Sequence, residues 1–115
     1  MRLRSDIWVS AYLRRRAAEG TSAVLRRRGA AEAGAIFVKI DLLDGRAALY
    51  GPAPQSLVAD AEPGIDRLFI RMHEPEWIDP GEADRRLAKE QSFDPDIWII
   101  EVEDRMGEAR LDLAR

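Results

Sequence analysis

Asp44-Gly45 lies between two apolar runs, Gly34-Ala-Ile-Phe-Val-Lys-Ile-Asp-Leu-Leu43 and Arg46-Ala-Ala-Leu-Tyr-Gly51. That pairing constrains the chain more than any other feature. Asp-Gly supplies positive φ at both central residues of a type I′ turn, the reversal whose twist matches two antiparallel strands. Ile36, Val38, Ile40 and Leu42 alternate onto one strand face. Phe37, Lys39, Asp41 and Leu43 fall on the other, a mixed and half-wetted one. Pro52 and Pro54 cannot donate to a ladder, so pairing is expected to stop near Gly51. The hairpin is expected at the centre of an antiparallel sheet.

Helix and strand signals surround it. Ser5 or Asp6 can cap a helix over 6–19 that Gly20 ends, with Trp8, Ala11, Tyr12 and Arg15 on one side. Thr21 to Arg28 reads as a charged edge strand pairing antiparallel with 34–43. Gln55 to Asp60 suits a helical turn or two, and Glu62-Pro63-Gly64 a turn. Ile65 to His73 alternates as a half-buried strand, with Leu68, Ile70 and Met72 opposite Arg67, Phe69, Arg71 and His73. Asp79 caps, with Pro80 at its first position, a helix through Gln91 whose apolar residues are Ala83, Leu87 and Ala88. Ile97 to Asp104 is a clear strand, and Glu108 to Leu113 returns as a last one with Leu111 and Leu113 inward. The fold class is therefore α+β: one domain over 1–115, a mainly antiparallel sheet of about five or six strands, and two or three helices packed on it.

Composition narrows the function. At 115 residues with 46% apolar and 34% charged side chains, the chain has an adequate core under a densely charged surface. No apolar run approaches the roughly 18 residues needed to cross a bilayer, and Met1 to Asp6 lacks the features of a signal peptide. The absence of Cys excludes a disulfide, a thiolate nucleophile and Cys-ligated zinc. A cytoplasmic protein without a membrane partner is expected. Charge is uneven: residues 1–50 carry ten cations and five anions, residues 51–115 eight and sixteen.

Five ordered segments resemble a bacterial family known as domain of unknown function 1491. They are Asp6-Ile-Trp-Val-Ser-Ala-Tyr-Leu-Arg-Arg15, Val24-Leu-Arg-Arg-Arg-Gly29, Ala33-Gly-Ala-Ile-Phe-Val-Lys39, Leu49-Tyr-Gly-Pro-Ala-Pro54 and Phe93-Asp-Pro-Asp-Ile-Trp-Ile-Ile-Glu-Val-Glu-Asp104. The resemblance implies a small cytoplasmic protein and supplies no activity, substrate or catalytic residue.

The residues themselves offer three functional readings. His73 is the single histidine, so a multi-His metal site is excluded, and a structural role suits it better than that of general base beside Glu74. Gly29 to Gly34 has neither the spacing nor the following helix of a phosphate loop. Asp94, Asp96, Glu101, Glu103 and Asp104 can gather around a Mg²⁺ or Ca²⁺ ion, as a carboxylate-metal hydrolase requires. Strand residues two apart lie about 6.7 Å from each other, which suits a solvated face better. The binding candidates are two Arg triplets, Arg14, Arg15, Arg16 and Arg26, Arg27, Arg28. Together they form a patch for nucleic-acid or other phosphate, or they pair with the acidic second half, within the chain or across a homo-oligomer. The reading adopted is a non-enzymatic protein-binding or adaptor domain that self-associates, with no catalytic residue, metal or cofactor. Phosphate binding and metal hydrolysis are the alternatives.

Overall fold

A computed structural model describes residues 2–54 and 66–114. In chain order the elements are helix α1 (Ser5–Ala18), strands β1 (Ser22–Arg27), β2 (Ile36–Asp41), β3 (Ala47–Pro52) and β4 (Phe69–Arg71), helix α2 (Pro80–Phe93) and strand β5 (Trp98–Glu103). The helical turns expected at 55–60, the turn at 62–64 and the start of the strand at Ile65 lie outside the described residues.

The β2–β3 hairpin forms antiparallel as its sequence dictates, with Val38 opposite Tyr50 and Asp41 opposite Ala47. Its reversal is looser than a two-residue type I′ turn. Leu42 N donates to Arg46 O, and the positive φ values fall on Leu43 (63°) and Gly45 (89°) rather than on Asp44. Two carboxylates set this geometry: Asp41 accepts from Leu43 N and Asp44 from Arg46 N. Leu43 thus holds a left-handed conformation that costs an L residue about 1–2 kcal/mol. Leu43→Gly is expected to raise stability by about 0.5–1 kcal/mol in urea unfolding; a loss would mean that its half-exposed side chain packs usefully. Pairing also runs past Gly51, because Pro52 faces Phe69 and Ala53 N donates to Leu68 O. The N–H that Pro52 lacks would point toward β2, where the β2–β3 ladder has already ended at Tyr50.

The strand order is β1-β5-β2-β3-β4. This corrects the expected partner of β1, which is β5 and not β2. β5 lies between them, antiparallel to β1 and parallel to β2, while β2–β3 and β3–β4 are antiparallel. Burial explains the insertion. Trp98, Ile99 and Ile100 form a continuous apolar run that must be covered on both faces, as an interior strand is. β1, with its arginines, takes an edge.

Each sheet face carries a helix. Ile36, Val38, Ile40, Trp98, Ile100 and Val102 pack with Val9 and Tyr12 of α1. Phe37, Leu49, Ile97 and Ile99 pack with Ala83 and Leu87 of α2, while Ala88 stays exposed. The face of Phe37 and Lys39, expected to be half wetted, is therefore buried. Asp79 caps α2 as expected, accepting from Gly81 N at 2.8 Å. Neither Ser5 nor Asp6 caps α1. Ser5 N and Asp6 N donate instead to the Glu32 and Ala31 carbonyls, and the buried Ser5 hydroxyl donates to Gly34 O.

Residues 108–113 do not form the expected last strand, so the described sheet has five strands. They run as an irregular strap over α1, with Arg110 in a left-handed conformation (φ 54°). Arg16, Tyr12 and Arg15 donate to the successive carbonyls of Glu108, Ala109 and Arg110. The strap reaches β4 at one parallel bridge, Phe69 to Leu113. Leu111 packs on the core as expected, but Leu113 points outward and is exposed. The strand expected over Ile65–His73 is 69–71 among the described residues, and residues of both its faces are buried: Leu68 on one, Arg67, Phe69 and His73 on the other.

Candidate functional site

A five-strand sheet has two edges, and this chain treats them differently. At β4 the strap satisfies the outer backbone groups of Phe69: its N–H donates to Asp112 O and its carbonyl accepts from Ala114 N. At β1 the outer side is open among the described residues. Ladder parity identifies the open groups. Trp98 N and Asp104 N donate toward β2, so the even residues of β5 face β2 and the odd ones face β1. Ser22 and Val24 sit opposite Glu103 and Glu101, and their backbone groups turn inward. Ala23 and Leu25 point their N–H and C=O outward. The edge is apolar at its middle, with Val24 55% and Leu25 38% exposed.

A β-bulge between Leu25 and Arg27 turns Arg26 and Arg27 toward the α2 side of the sheet. There, with Leu87, Gln91 and Ile99, they line a groove of about 260 Å³ between β1 and α2. Beside it lies a network of four charges. Asp84 of α2 sits 2.7 Å from Arg26 Nη1 and 2.9 Å from Lys39 Nζ. Glu101 of β5 sits 3.1 and 3.7 Å from the same two groups. Partial burial pushes the Asp84 carboxyl up, but the hydrogen bonds and charges of Lys39 and Arg26 together hold it below its ordinary range. Sequence pattern alone does not mark Lys39 and Asp84 as partners. The available signal was a lone Lys beside Phe37 in an apolar strand, which needs a carboxylate once the face is covered.

The structure separates the two Arg triplets. α1 and β1 form an antiparallel pair joined by a short turn at Gly20 (φ 78°). Arg14 to Arg16 therefore lie near the start of β1, while Arg28 lies past its other end. Five of the six cations have partners in the chain. Arg15 lies over the Tyr12 ring and donates to Arg110 O. Arg16, 1% exposed, donates to Asp104 Oδ2 at 2.8 Å. Its Nε lies 3.1 Å from Glu19 Oε1 without hydrogen-bond alignment. Arg26 belongs to the charge network, Arg27 donates to Ile97 O at 2.7 Å, and Arg28 lies over the Trp98 ring. Arg14 is exposed, without a side-chain partner among the described residues.

His73 is held on both ring nitrogens. Leu49 N donates to Nε2 at 3.0 Å, which leaves Nδ1 to carry the proton shared with Pro75 O at 2.7 Å. Burial lowers the tendency of this imidazole to protonate; the Pro75 carbonyl opposes that, and Arg71 and Arg86 reinforce it. The unfolded imidazole thus takes up its proton at a higher pH than the folded one. The stability from this group is complete above about pH 6.5 and is lost as pH falls through the lowered folded value. His73→Phe should cost about 1–3 kcal/mol at pH 7.5 by orphaning Leu49 N, and the variant should lose less further stability than the parent between pH 7.5 and 5. Equal losses in urea titrations at the two pH values would contradict this.

Among the described residues, no three His, Asp or Glu side chains converge as metal ligands, and no helix is long and apolar enough to cross a membrane. Glu101 pairs with Arg26 and Lys39, Asp104 with Arg16, and Glu103 is exposed.

The family described as Protein of unknown function (DUF1491) matches residues 3–112. A crystal structure of a DUF1491 family protein from Caulobacter crescentus CB15 is 30% identical, with a TM-score of 0.78 and all of both chains covered. A solution structure of a protein from A. tumefaciens is 42% identical over 90% of this chain and 86% of that one, with a TM-score of 0.72. No curated protein matches. The chain belongs to the DUF1491 family.

Proposed function

We propose that this DUF1491 chain is a non-enzymatic protein-binding domain, an adaptor that takes a strand of a protein partner onto the open edge of β1. The observation that carries the reading is the outward N–H and C=O of Ala23 and Leu25 beside exposed Val24, at the edge opposite the one where the strap takes up the outer groups of Phe69. Strand addition draws affinity from such main-chain groups and selectivity from alternate side chains. Arg27 and Arg28 at one end favour a segment that carries carboxylates. A cytoplasmic setting goes with this reading. Phosphate binding through Arg14–Arg16 and Arg26–Arg28 draws less support, because most of those guanidinium groups already hold partners on separate parts of the surface.

An acetylated octapeptide alternating Val and Glu tests the edge. Amide shifts should concentrate in β1 and β5, and Leu25→Pro should weaken binding at least tenfold. Proline there removes an outward donor and leaves the β5 ladder intact, so the far-UV circular dichroism spectrum should not change. Shifts elsewhere, or equal binding by the proline variant, would overturn the reading.

A further inference from the structure

We infer that the partner on this edge is a second copy of the chain, paired β1 to β1 antiparallel with Val24 opposite Val24 about a two-fold axis. The inference rests on the strand-addition reading and goes further by fixing occupant and register.

Three observations lead to it. The first is which backbone groups are open. Outward residues must face outward residues, so the registers compatible with parity place Ala23 on Ala23, Ala23 on Leu25, or Leu25 on Leu25. Ala23 on Ala23 also calls on Thr21, whose N–H is already bonded to Arg16 O. Leu25 on Leu25 draws Arg27 into the ladder beyond the bulge, where the strand bends away. Ala23 on Leu25 uses the open groups alone, each pair exchanging both hydrogen bonds.

The second observation is what this register puts at the centre. Val24 becomes a non-hydrogen-bonded pair with its own copy, the type in which side chains approach most closely. Two half-exposed valines then cover each other on the α2 side of the sheet.

The third is charge. Charge is segregated toward the ends of the edge: exposed Glu103 neighbours Ser22 at one end, and Arg27 and Arg28, which no carboxylate of the described residues pairs, lie at the other. Antiparallel pairing sets each basic end beside the acidic end of the copy, whereas parallel pairing would stack like on like.

The chain has no cysteine, so a single introduced thiol reports the register cleanly. Facing Cα atoms of a non-hydrogen-bonded pair lie about 4.5 Å apart, within the span of a disulfide. In the inferred register, residues 25 of the two chains are displaced by two positions and lie about 8 Å apart, beyond that span. Val24→Cys, oxidised with glutathione at roughly 100 µM protein, should become mostly disulfide dimer, and Leu25→Cys should cross-link at least fivefold less. Glu103→Arg in the Val24→Cys background should cut the dimer yield severalfold. Cross-linking of Leu25→Cys equal to or above that of Val24→Cys overturns the register. If neither variant cross-links while the octapeptide still binds β1, the second copy is the wrong occupant and the edge reading survives. If neither cross-links and the peptide does not bind, both fall.

Discussion

Arg16→Ala should lower unfolding free energy by about 3–5 kcal/mol, the usual cost of breaking a buried ion pair by removing one partner. The guanidinium is 1% exposed and joins three parts of the chain. It rises from the last turns of α1, takes the Asp104 carboxylate beyond β5, and donates to Glu108 O at the start of the strap. Removing it leaves Asp104, 14% exposed at its side chain, without its cation. It also leaves the Glu108 carbonyl without its donor and a void beside Tyr12. Arg16→Lys keeps the charge but cannot reach two acceptors in a fixed fork, so roughly half of the loss should remain. Urea denaturation of both variants with an unchanged m-value checks this. A loss below about 1 kcal/mol for Arg16→Ala would mean that Arg16 does not anchor the strap.

The second large effect is an asymmetry in the charge network. Asp84→Ala leaves Lys39, whose side chain is 5% exposed, with only Glu101 at 3.7 Å and with Arg26 as a like-charged neighbour. That should cost about 2–3 kcal/mol, the lower end for a broken buried pair, because Asp84 itself is 44% exposed and partly screened. Lys39→Met removes the buried charge and keeps its volume, while Asp84 and Glu101 retain Arg26. It should fall within about 1 kcal/mol of the parent and can stabilise. If Lys39→Met proved the worse of the two, the cation would be holding α2 on the sheet by more than its own neutralisation.

Period-two and turn signals locate the hairpin and β5, and cap residues with helical spacing locate both helices, because each is a local statement about ten or so residues. Strand order is not local. The arginines of β1 spoke correctly for an edge, but the choice of β5 over β2 as its neighbour turned on the unbroken apolar run at Trp98–Ile100. Arg16 shows a signal present and passed over. Val9, Tyr12 and Arg16 sit at helical spacing and are all buried, whereas the stripe read from sequence ran through Arg15. The strap had no period to read, since its carbonyls are held by side chains of α1 rather than by a ladder. The bulge that turns Arg26 and Arg27 the same way likewise leaves no trace in an alternating pattern. The open edge could be suspected from charge, but its open groups at Ala23 and Leu25 required the parity of β5.

Amide hydrogen exchange along β1, followed as protein concentration is raised, tests the central claim most directly. Val24 N–H, bonded into β5, should exchange slowly at every concentration. Ala23 and Leu25 should exchange fast in dilute protein and become protected as copies pair. Protection of Ala23 and Leu25 in dilute protein, or their fast exchange at every concentration, would contradict the account.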